Sequence, residues 1–135
     1  MQRLAIALLA AGGLMTACAP VPHTASGEML YKEFCASCHG ASGRGDGPGA
    51  ASIGKIPADL TRINVRNGGS FPTAYVISTI DGYTRAEDGD LAMPEFGVMM
   101  EDQPMVLVDT GDGIVTPVPR PLYALAEYLR TIQRP

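Results

Sequence analysis

Tryptophan is missing from all 135 residues, and aromatic side chains make up only 6% of the chain. A chain of this length forms one small domain. Without large aromatic anchors its own side chains fill a core thinly, so a bound apolar cofactor would add the missing burial. There is no surplus of positive charge: the formal net charge is −4, no basic patch occurs, and nucleic-acid binding is excluded. Only two histidines and three cysteines are present, so few combinations of soft ligands exist. The apolar stretch from Leu4 to Ala19 is 16 residues long, short of the ~20 that span a bilayer. Charged residues are 18% and hydrophobic residues 46%, which excludes both a disordered acidic tail and a multi-pass membrane protein.

What is abundant is glycine and proline, together one residue in five. That composition favours a loop-rich fold with few long elements. At the start of the chain, Arg3 precedes the apolar run Leu4–Leu14 and the small-residue run Thr16-Ala17-Cys18-Ala19. This is the pattern of a secretory signal, and residues 1–17 are read as a signal peptide; an uncleaved signal anchor is the alternative. Ala17-Cys18-Ala19 fits ordinary signal-peptidase cleavage, but Pro20 would follow the scissile bond. Met15-Thr16-Ala17-Cys18 resembles the lipobox of bacterial lipoproteins, with Met15 where Leu is usual, and makes Cys18 the candidate lipidation site. Lipid chains there would contribute about 0.8 kcal/mol per buried CH₂. Residues 18–25 read as a tether and 26–135 as the folded domain, exported to the periplasm and anchored to the membrane through Cys18. His23 falls in the tether and reads as a solvated residue.

With Cys18 assigned to processing, Cys35 and Cys38 remain, and His39 follows directly. Cys-x-x-Cys-His is the attachment pattern of c-type haem. Positions i, i+3 and i+4 share one helical face, so the two thiols can reach two vinyl groups along one side of a porphyrin while the imidazole faces the iron. The competing readings are a structural disulfide, a thioredoxin-like redox pair and half a zinc site. A thioredoxin-like motif opens a helix, whereas this one ends a helical segment. A zinc site needs a fourth ligand, and the remaining Cys and His lie in the signal and tether. For a sixth iron ligand the downstream methionines are Met93, Met99, Met100 and Met105. Met93-Pro94-Glu95-Phe96-Gly97 stands out: Pro94 stiffens the backbone beside the thioether, Phe96 is placed to pack on the haem edge, and Gly97 permits a tight turn. Met99, Met100 and Met105 sit among apolar neighbours and read as core. A thioether opposite an imidazole stabilises reduced iron.

Element signals are consistent with a mainly α domain. Ser26 is a candidate N-cap for a helix to about Ser37, with Leu30 and Phe34 on one face. Ser70-Phe71-Pro72 opens another, with Tyr75, Val76 and Ile80 inward and Gly82 ending it. Asp59-Leu60-Thr61 reads as a turn or a short helical piece. Pro121 opens the last helix, with Leu122, Leu125, Ala126 and Leu129 as its apolar stripe. Between them, Met105-Val106-Leu107-Val108 and Ile114-Val115-Thr116 flank Asp109-Thr110-Gly111-Asp112-Gly113, the signature of a β-hairpin. It is read either as a shield over the haem edge or as a partner-docking flap. From Arg85 to Arg120 no other Lys or Arg occurs, while Glu87, Asp88, Asp90, Glu95, Glu101, Asp102, Asp109 and Asp112 do. That stretch is a solubilising face or a negative docking surface for a basic partner.

From Gly27 onward the chain resembles class I cytochrome c. The resemblance rests on Gly27-x-x-x-Tyr31, on Cys35-x-x-Cys38-His39-Gly40, and on the glycine-rich Gly43-Arg44-Gly45-Asp46-Gly47-Pro48. It rests further on Met93-Pro94 and on Leu125-Ala126-Glu127-Tyr128-Leu129. It implies three to five helices wrapped around one covalent haem, with the hairpin as an insertion before the C-terminal helix. It implies Cys35 and Cys38 as haem thioethers, His39 and Met93 as axial ligands of the haem iron, and Gly27 and Tyr31 meeting Leu125 and Tyr128 where the terminal helices cross. It further implies a proline carbonyl accepting from the ligating imidazole, for which Pro57 is the first candidate and Pro48 the alternative. The expected function is electron transfer with redox partner proteins that carry a basic docking surface, without a small-molecule substrate. The alternatives are a fixed cytochrome subunit of a larger membrane oxidoreductase, a ligand-binding or catalytic haem protein with Met93 dissociated, and a cofactor-free thiol module.

Overall fold

In the last segment of the chain, apolar residues recur at i, i+3, i+4 and i+7, which lines one face of an α-helix. The structure, a computed structural model, describes residues 23–84, 93–111 and 113–135. The signal peptide, Cys18, Glu87, Asp88, Asp90 and Asp112 lie outside the described residues. The described helices are α1 (His23–Phe34), α2 (Ala36–His39), α3 (Ile63–Arg66), α4 (Thr73–Asp81), α5 (Phe96–Met100) and α6 (Arg120–Thr131). Two 3₁₀ helices, Pro48–Ile53 and Leu60–Arg62, fill the region between α2 and α3. The one described sheet is an antiparallel hairpin, β1 (Met105–Asp109) and β2 (Val115–Pro119), in which Leu107 pairs with Pro117 and Asp109 with Val115. The mainly helical architecture and the hairpin before the last helix are those expected.

The core is organised on α6. Its Leu122, Leu125, Ala126 and Leu129 are buried, and each leucine contributes about 1.5–3 kcal/mol by leaving water. Pro121 stands in the first turn of α6, where a missing N–H removes no helical bond. Helix α1 crosses α6 at Gly27: a Cβ there would lie 2.0 Å from the Ala124 carbonyl oxygen and 2.8 Å from the Tyr128 Cβ. One turn on, the Tyr31 and Tyr128 rings meet at 5.2 Å with a 46° tilt. The crossing expected of Gly27 and Tyr31 is therefore present, with Leu125 buried in the same cluster.

Helix α4 is stopped by Gly82, which adopts φ 114° while its N–H donates to the Ser78 carbonyl. It buries Val76, Ile77 and Ile80, while Tyr75 is exposed and lines, beside Val76 and Ile80, the cavity described below. The buried stripe runs through Thr73, Val76, Ile77 and Ile80. Helix α1 also departs from expectation. It begins at His23, so three residues assigned to the tether form its first turn, and it closes at Phe34 before a separate turn carries the cysteines. The C-terminal tail is fastened to the loop around residue 60. Gln133 Nε2 donates to the Leu60 carbonyl at 2.8 Å, its Oε1 accepts from Asn64 N–H at 3.0 Å, and Arg134 N–H donates to the Thr61 carbonyl at 2.8 Å.

Candidate functional site

The cysteine motif lies on a helical turn. Cys35 N–H donates to the Tyr31 carbonyl, His39 N–H to the Cys35 carbonyl and Gly40 N–H to the Ala36 carbonyl, each at 2.9 Å. Cys35, Cys38 and His39 thus stand at i, i+3 and i+4 on one face. A helix end leaves carbonyls without partners, and the glycine-rich loop meets them. Gly45 N–H donates to the His39 carbonyl at 2.8 Å and Gly47 N–H to the Cys38 carbonyl at 3.1 Å. Only glycine allows this approach: a Cβ on Gly47 would fall 2.3 Å from the Ser37 carbonyl oxygen. The buried Tyr31 hydroxyl completes the turn by donating to the Gly40 carbonyl at 2.7 Å.

His39 Nδ1 lies 3.0 Å from the Ala58 carbonyl oxygen. A carbonyl only accepts, so Nδ1 carries the proton and Nε2 keeps its lone pair for a metal. Burial holds the imidazole below its ordinary pKa, partly opposed by the Ala58 bond, which favours the neutral ligating form. The partner carbonyl is therefore that of Ala58, not that of Pro57. The Pro57 carbonyl oxygen is turned toward the glycine loop and would lie 2.2 Å from a Cβ on Gly45. Consecutive carbonyls thus serve different partners, that of Pro57 facing the glycine loop and that of Ala58 the ring. Pro48, the alternative, opens the 3₁₀ helix and is exposed.

Two adjoining cavities, of about 240 and about 290 Å³, share Cys35, His39, Ala58 and Met93 in their walls. The first is walled by apolar side chains of α3, α4 and α6 and also by polar ones, Arg66, Asn67, Tyr75 and Thr79. The second takes in Cys38, Phe34, Ile53, Lys55, Ile56, Pro94 and Phe96. Of Met93, Met99, Met100 and Met105, Met93 alone lines these cavities. Met100 is buried in the core, whereas Met99 and Met105 are exposed and so are not core residues. Phe96 is buried against Phe34, ring centroids 6.1 Å apart. Gly97 serves no turn: it lies within α5, where a Cβ would meet the Asp81 carboxylate, so it lets α5 close on the end of α4.

The residues fit a haem. A mainly apolar slot with cationic and polar side chains in its wall suits a planar apolar group bearing two carboxylates, and two thiols, an imidazole and a thioether all border it. They fit the other chemistries poorly. Burial, aided by the neighbouring Cys38, pushes the Cys35 thiol up to about 11, the reverse of the lowered value a redox-active thiol needs. Cys35 and Cys38 are both free of disulfide bonding. Among the described residues no group of three His, Cys, Asp or Glu side chains could hold a bare metal ion. Sequence reading missed Ala58, which has no side-chain signal, and the polar wall residues Arg66, Asn67 and Tyr75, which only the fold brings together.

A search of the curated proteins finds no match. Residues 22–108 match the family model described as cytochrome c oxidase, cbb3-type, subunit III. The match covers the cysteine turn, the glycine loop, the Ala58 segment and Met93, and it ends within β1. Such a c-type cytochrome domain binds haem covalently and transfers electrons. With the helical fold, the Cys35–His39 turn and the apolar slot in agreement, the chain belongs to the family described as cytochrome c oxidase, cbb3-type, subunit III, as a c-type cytochrome of the class I kind.

Proposed function

We propose that this chain is a single-haem electron carrier in which Cys35 and Cys38 hold the haem through thioethers, while His39 and Met93 take the two axial positions of the iron. The observation that supports this best is that Met93 borders the same cavities as His39 and Cys35. Bound haem supplies a one-electron iron couple. The chain's own residues do the rest. The Ala58 carbonyl orients the imidazole and keeps its proton on Nδ1. Ile63, Val76, Ile80 and Leu125 exclude water from the slot. Arg66, Asn67 and Tyr75, polar residues of the cavity wall, would receive the carboxylates. Arg66 is held there through its Nη1, which donates to the Asp59 carbonyl at 2.9 Å, and it has further N–H donors to offer. With His39 and Met93 both holding its iron, a bound haem would offer no open position to a substrate. This points to a carrier whose partners are proteins with basic docking surfaces, facing the acidic residues between Arg85 and Arg120. Export by residues 1–17 and lipidation at Cys18 would keep encounters at the membrane surface and raise effective concentration.

A second reading, a fixed subunit of a larger membrane oxidoreductase, is favoured by the description of the matching family; stable copurification with other subunits distinguishes it. The ligation is tested by visible spectroscopy of protein matured with its haem. The ferric form is expected to show the weak far-red band of sulfur-ligated iron. Met93→Ala is expected to abolish that band and to open the ferrous form to carbon monoxide. Persistence of the band in this variant would assign the position to another ligand and overturn the His39/Met93 reading.

A further inference from the structure

The hairpin is the element the haem site does not use. No residue of β1 or β2 lines either cavity described above. The hairpin's inner face is ordinary: Val108 and Val118 are buried in the core. Its outer face is not. An antiparallel pair with one face packed normally alternates apolar inside with polar outside. Here the outward positions are apolar as well: Leu107 is 75% exposed, Val115 58% and Met105 53%. The exposed Pro117 stands directly across from Leu107. Leu107, Pro117, Met105 and Val115 form one strip, because cross-strand partners share a face.

The edge of β2 is closed to strand addition. Arg120 N–H donates to the Pro104 carbonyl at 2.8 Å, which makes 104 and 120 a hydrogen-bonded pair. By alternation, the pairs Met105–Pro119 and Leu107–Pro117 are not hydrogen-bonded. Pro117 and Pro119 therefore occupy the positions whose N–H groups would point away from β1, and proline has none. Contact along β2 must be made through side chains on the face, not by an added strand.

The surroundings of the strip say what kind of protein fits. Exposed Glu101 and Asp102 lead into β1, and exposed Asp109 ends it. Asp109 Oδ1 accepts from Gly111 and Gly113 N–H groups at 2.9 and 3.3 Å, so its charge is fixed at the hairpin tip. No Lys or Arg occurs from residue 86 to 119; exposed Arg120 stands across from Pro104, at the end of the hairpin that Glu101 and Asp102 lead into, and leaves the rim acidic on balance. A second copy would bring the same acidic rim against this one. Four such side chains offer only on the order of a few hundred Å², against about 800 Å² per partner in a stable interface, which suits a transient encounter and not a permanent dimer. We infer that the outward face of the β1–β2 hairpin is a docking surface for a different protein, one presenting an apolar patch rimmed by Lys or Arg. This rests on the protein-partner part of the proposed function, which it deepens by naming the docking face, and it does not depend on whether Met93 ligates the iron.

The test uses the full-length, haem-loaded chain in the cells that make it, with a photo-reactive benzophenone side chain in place of Leu107. The control carries the same group in place of Val65, which is exposed on α3. A discrete protein adduct is expected from position 107 and not from 65, with the cross-linked peptide apolar and flanked by Lys or Arg. Val115→Lys in the same chain, placing a cation against that rim, should cut the adduct at least tenfold while the c-type visible spectrum stays unchanged. If Val115→Lys loses the spectrum, the pair Glu101→Gln and Asp102→Asn replaces it with the same expectation. Absence of an adduct, an adduct to a second copy or to lipid, a partner peptide without basic residues, or a yield indifferent to these substitutions would overturn the inference.

Discussion

Gly27→Ala is expected to destabilise the fold although it places a better helix former within a helix. The added methyl would sit 2.0 Å from the Ala124 carbonyl oxygen, 2.7 Å from its carbon and 2.8 Å from the Tyr128 Cβ. Carbon and oxygen in weak contact lie about 3.3–3.6 Å apart, so the shortfall exceeds 1 Å. The obstruction is backbone and cannot rotate away. Helix α1 has to withdraw from α6, and a gap of about 0.5–1 Å forfeits a quarter to a half of each dispersion contact across it. The contacts at risk belong to Tyr31, Leu122 and Leu125, among the most fully buried side chains in the protein. Overpacking of this kind costs about 1–3 kcal/mol, and a clash with backbone puts it at the upper end. Alanine returns about 0.8–1 kcal/mol of helix propensity. The net loss is about 2 kcal/mol, or roughly 10 °C in Tm for a domain of this size. Thermal unfolding of the haem-loaded protein followed by far-ultraviolet circular dichroism measures it. An unchanged or raised Tm would show that the helices do not meet at Gly27 and would refute the crossing.

Two further outcomes follow from single side chains. Asp59→Ala removes the acceptor of both the Thr61 N–H at 2.8 Å and the Thr61 hydroxyl at 2.7 Å, so about 1 kcal/mol of stability should be lost in denaturant titration. Those Thr61 bonds hold the Asp59 carboxyl below its ordinary 3.8. Its contribution is therefore present above about pH 4 and lost as the pH falls through the lowered value, and the variant should lack that part of the acid dependence. Tyr31→Phe deletes the buried bond to the Gly40 carbonyl and should cost about 1–3 kcal/mol. Burial, with Cys35, Tyr128 and Asp46 nearby, holds the Tyr31 hydroxyl far above the usual phenol range. Folding stability should consequently decline above about pH 10, where the unfolded chain ionises and the native one does not, and ultraviolet titration should find one tyrosine fewer ionising in the native protein.

What the sequence made legible is what depends on neighbours along the chain. The Cys35–His39 turn follows from i, i+3, i+4 geometry. The stripe of α6 follows from its period, and the hairpin follows from two apolar runs around a glycine-containing loop. What it did not make legible depends on direction in space. Pro57 and Ala58 differ by one peptide unit, yet one carbonyl faces Gly45 and the other faces His39; nothing in either side chain records which. Met99 and Met105 are apolar, and composition alone puts them inside. The fold turns both outward because α5 and β1 each offer only one face to α6. An apolar residue is a candidate for the core, but the rest of the helix or strand decides whether it is admitted.

The same distinction explains how a loop with so few side chains can hold a redox site rigidly. Gly45 and Gly47 N–H groups bind the carbonyls of His39 and Cys38, and Leu60 N–H binds the Gly43 carbonyl at 2.7 Å. The segment so anchored carries Ala58, whose oxygen returns to the ring of His39. The imidazole is thus held at both ends by one circuit of backbone, first through its own peptide and then through Nδ1. Peptide groups have no rotamers to change, so a circuit built from them moves less on a change of charge than one built from long side chains. Low reorganisation is what electron transfer requires of a ligand's surroundings. On this view the glycines are here because any Cβ at 45 or 47 would separate the two strands of the circuit, and a substitution there should loosen the ring of His39 without touching it.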